Sequence, residues 1–121
     1  MITVLLLANI DIGRSAVYSY LIMNNSEQIL NRALHAIADP TRRRILEALK
    51  ERGGCSIGKE TGLCAYDIEL RVKLSQPTIS HHMSILKRAG LVEAQKMGQW
   101  RWYCRNETAL KEFMRLLKDT L

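Results

Sequence analysis

Ser75, Gln76, Thr78, Ser80 and His81 crowd into one short stretch; each can give or accept a hydrogen bond, and no acid lies among them. Presented along the first turns of a helix, they could address the edges of base pairs. Glutamine pairs bidentately with adenine, and serine or threonine hydroxyls serve either a base or a phosphate. A second set is cationic. From Arg71 to Arg105 there are seven Lys or Arg (71, 73, 87, 88, 96, 101 and 105) against a single acid, Glu93. Lys87, Lys96, Gln99 and Arg101, together with Arg42, Arg43 and Arg44, suit phosphate, which supplies affinity without sequence preference. A third set is the thiols Cys55, Cys64 and Cys104. Three convergent thiolates would hold arsenite or a soft divalent metal, and two would serve a disulfide switch or a persulfide. Three unconnected thiols, one of them a small buried hydrophobe, is the plainer alternative.

Bulk properties agree with the first two sets. The chain has 121 residues, a formal charge of +6 and a pI near 9.5. That is one domain by length, with a balance that favours a polyanionic partner, nucleic acid before membrane. An enzyme is not expected. There is no GxSxG and no phosphate-binding glycine loop, since Gly53, Gly54, Gly58 and Gly62 do not make one. His81 and His82 are adjacent, so on a helix their rings point apart and cannot share a metal. The odd number of cysteines, with no export signal before them, favours a reducing cytoplasm. Ile2 to Ile12 is apolar but broken by Asn9 and Asp11, far short of a bilayer span. Residues 1–24 read as an extension, either extraneous with Met23 as the true start or an added dimerisation element; residues 25–121 read as the domain.

The elements that would position these groups follow from periodicity and punctuation. Ser26 opens an amphipathic helix buried along Ile29, Leu30, Ala33, Leu34 and Ile37. Asp39 as N-cap and Pro40 at the first position start a second helix, which buries Ile45, Leu46 and Leu49 and stops at Gly53-Gly54. Its three arginines sit at the positive end of the helix dipole, a cost that suggests they face phosphate or a neighbouring carboxylate. A connection over 55–66 leads to a short helix from Ile68 to Val72, capped by Asp67. Lys73-Leu74 is the turn after it, with Lys73 at positive φ where glycine is more usual. The next helix is N-capped by the Ser75 hydroxyl, buries Ile79, Met83 and Leu86, and ends at Gly90. Leu91–Lys96 and Gln99–Cys104 form a β-hairpin around Met97-Gly98, with Trp100 and Trp102 covering the core. From Thr108 a last helix carries the stripe Leu110, Phe113, Met114, Leu117 and Leu121. With Ile29, Leu30 and Leu34 of the first helix, Leu110, Phe113 and Leu117 make the expected dimerisation surface. The fold class is mainly α with a small β-hairpin wing, a homodimeric winged helix-turn-helix.

Several runs resemble the ArsR/SmtB family of bacterial repressors. They are Ala-Asp-Pro-Thr-Arg-Arg-Arg-Ile-Leu (38–46), Leu-Ser-Gln-Pro-Thr-Ile-Ser-His-His-Met (74–83), Leu-Lys-Arg-Ala-Gly-Leu-Val (86–92) and the Gly-Gln-Trp of the wing. The resemblance covers residues 26–120. It implies a homodimer that sits on a pseudo-palindromic operator in double-stranded DNA and leaves it when an inducer binds. It also implies an inducer site at Leu63–Asp67, where many members carry Cys-x-Cys followed by Asp. Cys64 and Asp67 match that pattern, but Tyr66 stands where the second thiolate belongs, and a phenol with pKa near 10 is a poor soft-metal ligand at neutral pH. Cys55 and Cys104 would have to complete the set; a thiol-redox switch or a signal other than metal is the alternative. The family's other sensory site, on the last helix, needs histidine, and residues 107–121 contain none. A winged-helix module that binds protein and no operator is the rival from a different class. Only DNA binding predicts affinity falling steeply with salt.

Overall fold

The computed structural model describes residues 14–51 and 57–121. Residues 1–13, the Gly53-Gly54 stop and Cys55 lie outside that range. In chain order the elements are α1 (Arg14–Ala38), α2 (Pro40–Leu49), β1 (Leu63–Cys64), α3 (Ala65–Val72), α4 (Gln76–Arg88), β2 (Val92–Met97), β3 (Trp100–Arg105) and α5 (Glu107–Thr120). The first helix thus begins well before Ser26 and runs unbroken across the boundary expected after residue 24. Asn24 and Asn25 look like punctuation in the sequence, but both are exposed, and an exposed asparagine costs a helix only a fraction of a kcal/mol, about 0.7 at most.

Each helix junction has a local cause. Asp39 is extended (φ −83°, ψ 126°) and its carboxylate accepts the Arg42 amide at 3.0 Å, while Pro40 opens α2. Lys73 is left-handed (φ 57°, ψ 45°), as the turn between α3 and α4 requires. At the end of α4, Gly90 has φ +76°, its amide reaches the Lys87 carbonyl at 2.9 Å, and the Leu91 amide reaches Leu86 at 3.0 Å. Those two bonds satisfy carbonyls the last turn would otherwise leave open. The Leu91 carbonyl accepts the Asn106 amide at 2.9 Å, and the Asn106 side chain caps α5 through the Ala109 amide at 3.1 Å.

Three sequence expectations about the sheet need correction. It has three strands in the order β1-β3-β2, because Leu63 and Cys64 pair with Tyr103 and Trp102. Two residues are too few to show a period, so β1 was hidden inside the connection. The hairpin turn is Gly98-Gln99, not Met97-Gly98: Met97 pairs with Trp100, and Gly98 takes φ +60° in the first of the two turn places. The inward face of β3 is then the opposite one. Tyr103 is 5% exposed and belongs to the core, whereas Trp100 is 42% exposed. Trp102 lies over Gly62 and donates its indole N–H to the Thr61 carbonyl at 3.0 Å. A strand alternates faces residue by residue, so choosing the wrong face inverts every assignment along it. Two expectations about α3 also change. The helix starts at Ala65 rather than Ile68, and Asp67 is not its cap but a buried first-turn residue accepting from the Cys64 thiol at 3.0 Å.

The core joins Leu30, Ala33 and Ala36 of α1, Ile45, Leu46 and Leu49 of α2, Ile68 and Val72 of α3, Ile79, Met83 and Leu86 of α4, Val92, Tyr103 and Phe113. Leu30 and Phe113, expected at a dimer surface, are therefore consumed inside the single chain. Leu34, Leu110 and Leu117 are partly buried against the same core, and Ile29 stays exposed. Tyr18 and Leu21 on α1, Met114 on α5 and Leu121 just after it are likewise exposed apolar residues. None of the described helices is long and apolar enough to cross a membrane.

Candidate nucleic-acid interface

Ile79, Met83 and Leu86 anchor α4 by burying one narrow edge. Complete burial of such side chains is worth roughly 1.5–3 kcal/mol each, so the helix is held without any help from its outer face. That face is open at its N-terminal end, where Ser75, Gln76, Thr78, Ser80 and His81 are all exposed. Ser75 is extended at the N-cap position, but its hydroxyl does not cap an amide; it bonds to the Thr78 hydroxyl at 3.0 Å. Pro77 removes one amide from that turn, and Ser75 meets the Ile79 amide through its backbone carbonyl at 3.0 Å. Gln76 and His81 are left to face outward.

Beside α4 lies a cleft of about 390 Å³ closed on its far side by the wing. Ser80, Ser84 and Lys87 come from the helix, Lys96 and Arg101 from the strands, and Met83, Ala94 and Tyr103 form the back wall. Lys96 and Arg101 are directly opposite each other in the β2–β3 ladder. Like charges in that position repel, and no carboxylate lines the cleft. Among the described residues Lys87, Lys96 and Arg101 have no ion-pair partner. Such an arrangement is relieved by an anion, and a phosphate oxygen bridging two cations would fit it. Gln99 is exposed at the wing turn. Ser84, one helical turn beyond Ser80, belongs to the acid-free polar face that the sequence places opposite the stripe Ile79, Met83 and Leu86.

The arginine run behaves differently. Arg42 is 7% exposed. Its guanidinium donates to the carbonyls of Ala36 (2.6 Å) and His35 (3.2 Å), and lies 3.3 Å from His82 Nδ1. Arg43 donates to the Ile37 and Ala38 carbonyls, and Arg44 reaches the Val72 carbonyl at 3.4 Å. All three therefore serve the carbonyl-rich C-terminal ends of neighbouring helices, Arg42 and Arg43 at α1 and Arg44 at α3. A helix C-terminus is an anionic partner the sequence does not display as an acid. Arg42 is corrected from phosphate contact to internal brace. Arg43 remains exposed but is bound to backbone. His82, placed beside the apolar stripe, closes the same cluster at 3.7 Å from the Asp39 carboxylate. The Arg42 amide, and after it the charges of Arg42 and His82, hold the Asp39 carboxyl below its ordinary value.

Of the thiols, Cys64 is buried in β1 against Asp67. Cys104 faces Glu93 across the ladder, with its sulfur 4.0 Å from the carboxylate. Partial burial, then that negative charge, push the Cys104 thiol above its ordinary value, which disfavours the thiolate needed for metal or redox chemistry. Tyr66 is exposed. Among the described residues no three of His, Cys, Asp and Glu gather to hold a metal ion. The described donors do not fit arsenite or a soft cation.

A helix with an open N-terminal end, lying beside a cationic cleft closed by a β-hairpin, is the arrangement of a winged helix-turn-helix domain. Residues 39–94 match the bacterial regulatory proteins of the arsR family. The transcriptional repressor SdpR of Bacillus subtilis is 40% identical over 83 residues, which are 69% of this chain and 82% of that protein. The arsenical resistance operon repressor of Staphylococcus aureus is 35% identical over 88 residues, 73% of this chain and 76% of that one. The solution structure of a homodimeric winged helix-turn-helix DNA-binding domain from Mycobacterium bovis shares the fold, with a TM-score of 0.58 at 20% identity over 84% of this chain and 83% of that one. The chain belongs to the ArsR family.

Proposed function

We propose that the protein is a homodimeric repressor acting in the cytoplasm, which reads a pseudo-palindromic operator and is released from it by an inducer. The observation that carries this reading is the acid-free cleft in which Lys96 and Arg101 oppose each other beside Lys87 and the open end of α4. Gln76 and His81, with Ser80 and Thr78, are the base-reading residues; Ser75, Lys87, Lys96, Gln99 and Arg101 hold the backbone. The exposed apolar residues Tyr18, Leu21, Ile29 and Met114 support a second copy packed on α1 and α5, as does the homodimeric relative in fold. Two reading helices about 34 Å apart would then match one turn of duplex. The arsenical-resistance relative supports an arsenite or soft-metal inducer for that protein. In this chain Cys64 and Cys104 lend that inducer no support, so no step is assigned to it.

The test is binding-site selection from a randomised duplex pool, followed by titration at several salt concentrations. Three cations per protomer give roughly six phosphate contacts and a log–log salt slope near −5. Gln76→Ala with His81→Ala should abolish preference for the selected site while keeping weak, salt-sensitive binding. A double variant that discriminates as well as the parent overturns the assignment of the reading helix.

A further inference from the structure

On the side of α4 away from the wing, α1 and α4 enclose a groove of about 370 Å³ lined by Asn31, Arg32, His35, Ile85, Arg88 and Ala89. Compact ligand sites occupy roughly 300–1,000 Å³. Ile85 and Ala89 are half-buried and form an apolar floor, and the rim is basic with no carboxylate. Arg32 has no hydrogen-bond or ion-pair partner among the described residues. Arg88 gives one nitrogen to the Ser84 hydroxyl at 3.0 Å and keeps its other donors. Two guanidiniums with open forks can hold one carboxylate bidentately, and the Asn31 amide can add a further bond.

We propose that this groove binds a small organic monoanion, a carboxylate head on an apolar body, and that its occupancy is coupled to the placement of α4. The apolar floor argues against an inorganic anion, which would leave Ile85 and Ala89 bare. Concavity argues against duplex phosphate, which would meet the rim alone. Coupling has two routes. The ligand touches α1 and α4 together, and the His35 carbonyl is tied to Arg42, whose other nitrogen meets His82 of α4. This second half of the proposal rests on the operator-reading function; the binding half does not.

The experiment follows amide shifts of the full chain in NMR spectra with benzoate as the probe, benzamide as its neutral counterpart and inorganic phosphate as the bare anion. Benzoate should give saturable shifts at Arg32, His35, Ile85 and Arg88, with benzamide at least tenfold weaker. Arg32→Gln with Arg88→Gln should weaken benzoate at least tenfold while the unfolding midpoint holds. Saturating benzoate should weaken binding to the selected duplex about tenfold. No saturable shift, or phosphate binding as tightly as benzoate, overturns the site. So does a double variant whose duplex salt slope falls, because the arginines would then be phosphate contacts. Benzoate that binds and leaves duplex affinity unchanged overturns the coupling. Since the shifts are read without DNA, failure of operator binding is separable from failure of the groove.

Discussion

Arg42→Met separates an internal brace from a phosphate contact. Methionine keeps most of the stem volume but removes every donor, so the Ala36 and His35 carbonyls lose the partners they hold at 2.6 and 3.2 Å. An orphaned buried acceptor costs about 1–3 kcal/mol. Ala36 is fully buried and should suffer near the top of that range. The bond to His35 is only part-buried, so water recovers some of its loss, and removing a charge from the interior returns some desolvation energy. The net expectation is a loss of about 2–4 kcal/mol, which for a chain of this size lowers Tm by roughly 10 °C. Urea unfolding followed by circular dichroism, at one fixed protomer concentration because a dimer's stability depends on it, measures the loss. Titration of the selected duplex across salt should return the parent's slope. A loss below 1 kcal/mol together with a shallower slope refutes the reasoning and returns Arg42 to the DNA-facing set.

The remaining expectations are briefer. Gly62→Ala should destabilise by more than about 2 kcal/mol, because φ is +89° and the new methyl would meet the Tyr103 carbonyl and the Trp102 indole nitrogen at 2.8 Å; urea unfolding reads it, and a loss under 1 kcal/mol contradicts the close approach. Asp39 has a folded pKa below its ordinary 3.8, so its contribution is complete above that value and is lost as pH falls through the folded one. Asp39→Asn keeps the cap without the charge, and its urea midpoint should fall less than the parent's between pH 7 and pH 3. Cys104 has a folded pKa raised above 9.0: the folded state keeps its proton longer, so this group's effect on stability declines as pH rises beyond 9.0. At pH 8 iodoacetamide should modify Cys104 more slowly in the folded protein than in urea, by peptide mass mapping; equal rates would remove the assigned environment.

What the sequence disclosed was whatever rests on period or on a single restrictive residue. The stripe Ile79, Met83, Leu86 located α4 because only a helix brings those three to one edge, and Gly90 marked its end. Lys73 was legible because the chain must turn there whatever residue it carries. Charge was less informative because it has no direction. Arg42, Arg43 and Arg101 look alike in a string, yet two are drawn to helix carbonyls and one points into an open cleft. The tryptophans misled for a related reason. Size marked them as core, while the faces of β3 were decided by what packs against it, α2 and α3 together with the Thr61–Gly62 segment. Among the candidate readers, Gln76, Ser80 and His81 are exposed as expected, and Ser75 differs only in what its hydroxyl binds.

Leu91 has a consequence for how release from DNA could work. One residue receives the end of α4 through its amide, gives its carbonyl to Asn106 at the head of α5, and leads directly into β2. Helix, wing and last helix thereby share one root, so a displacement of α4 is passed directly to the wing. In the proposed dimer, a signal that displaced α4 would carry the wing with it and so alter the span between the two copies, as one opens a pair of callipers whose points keep their shape.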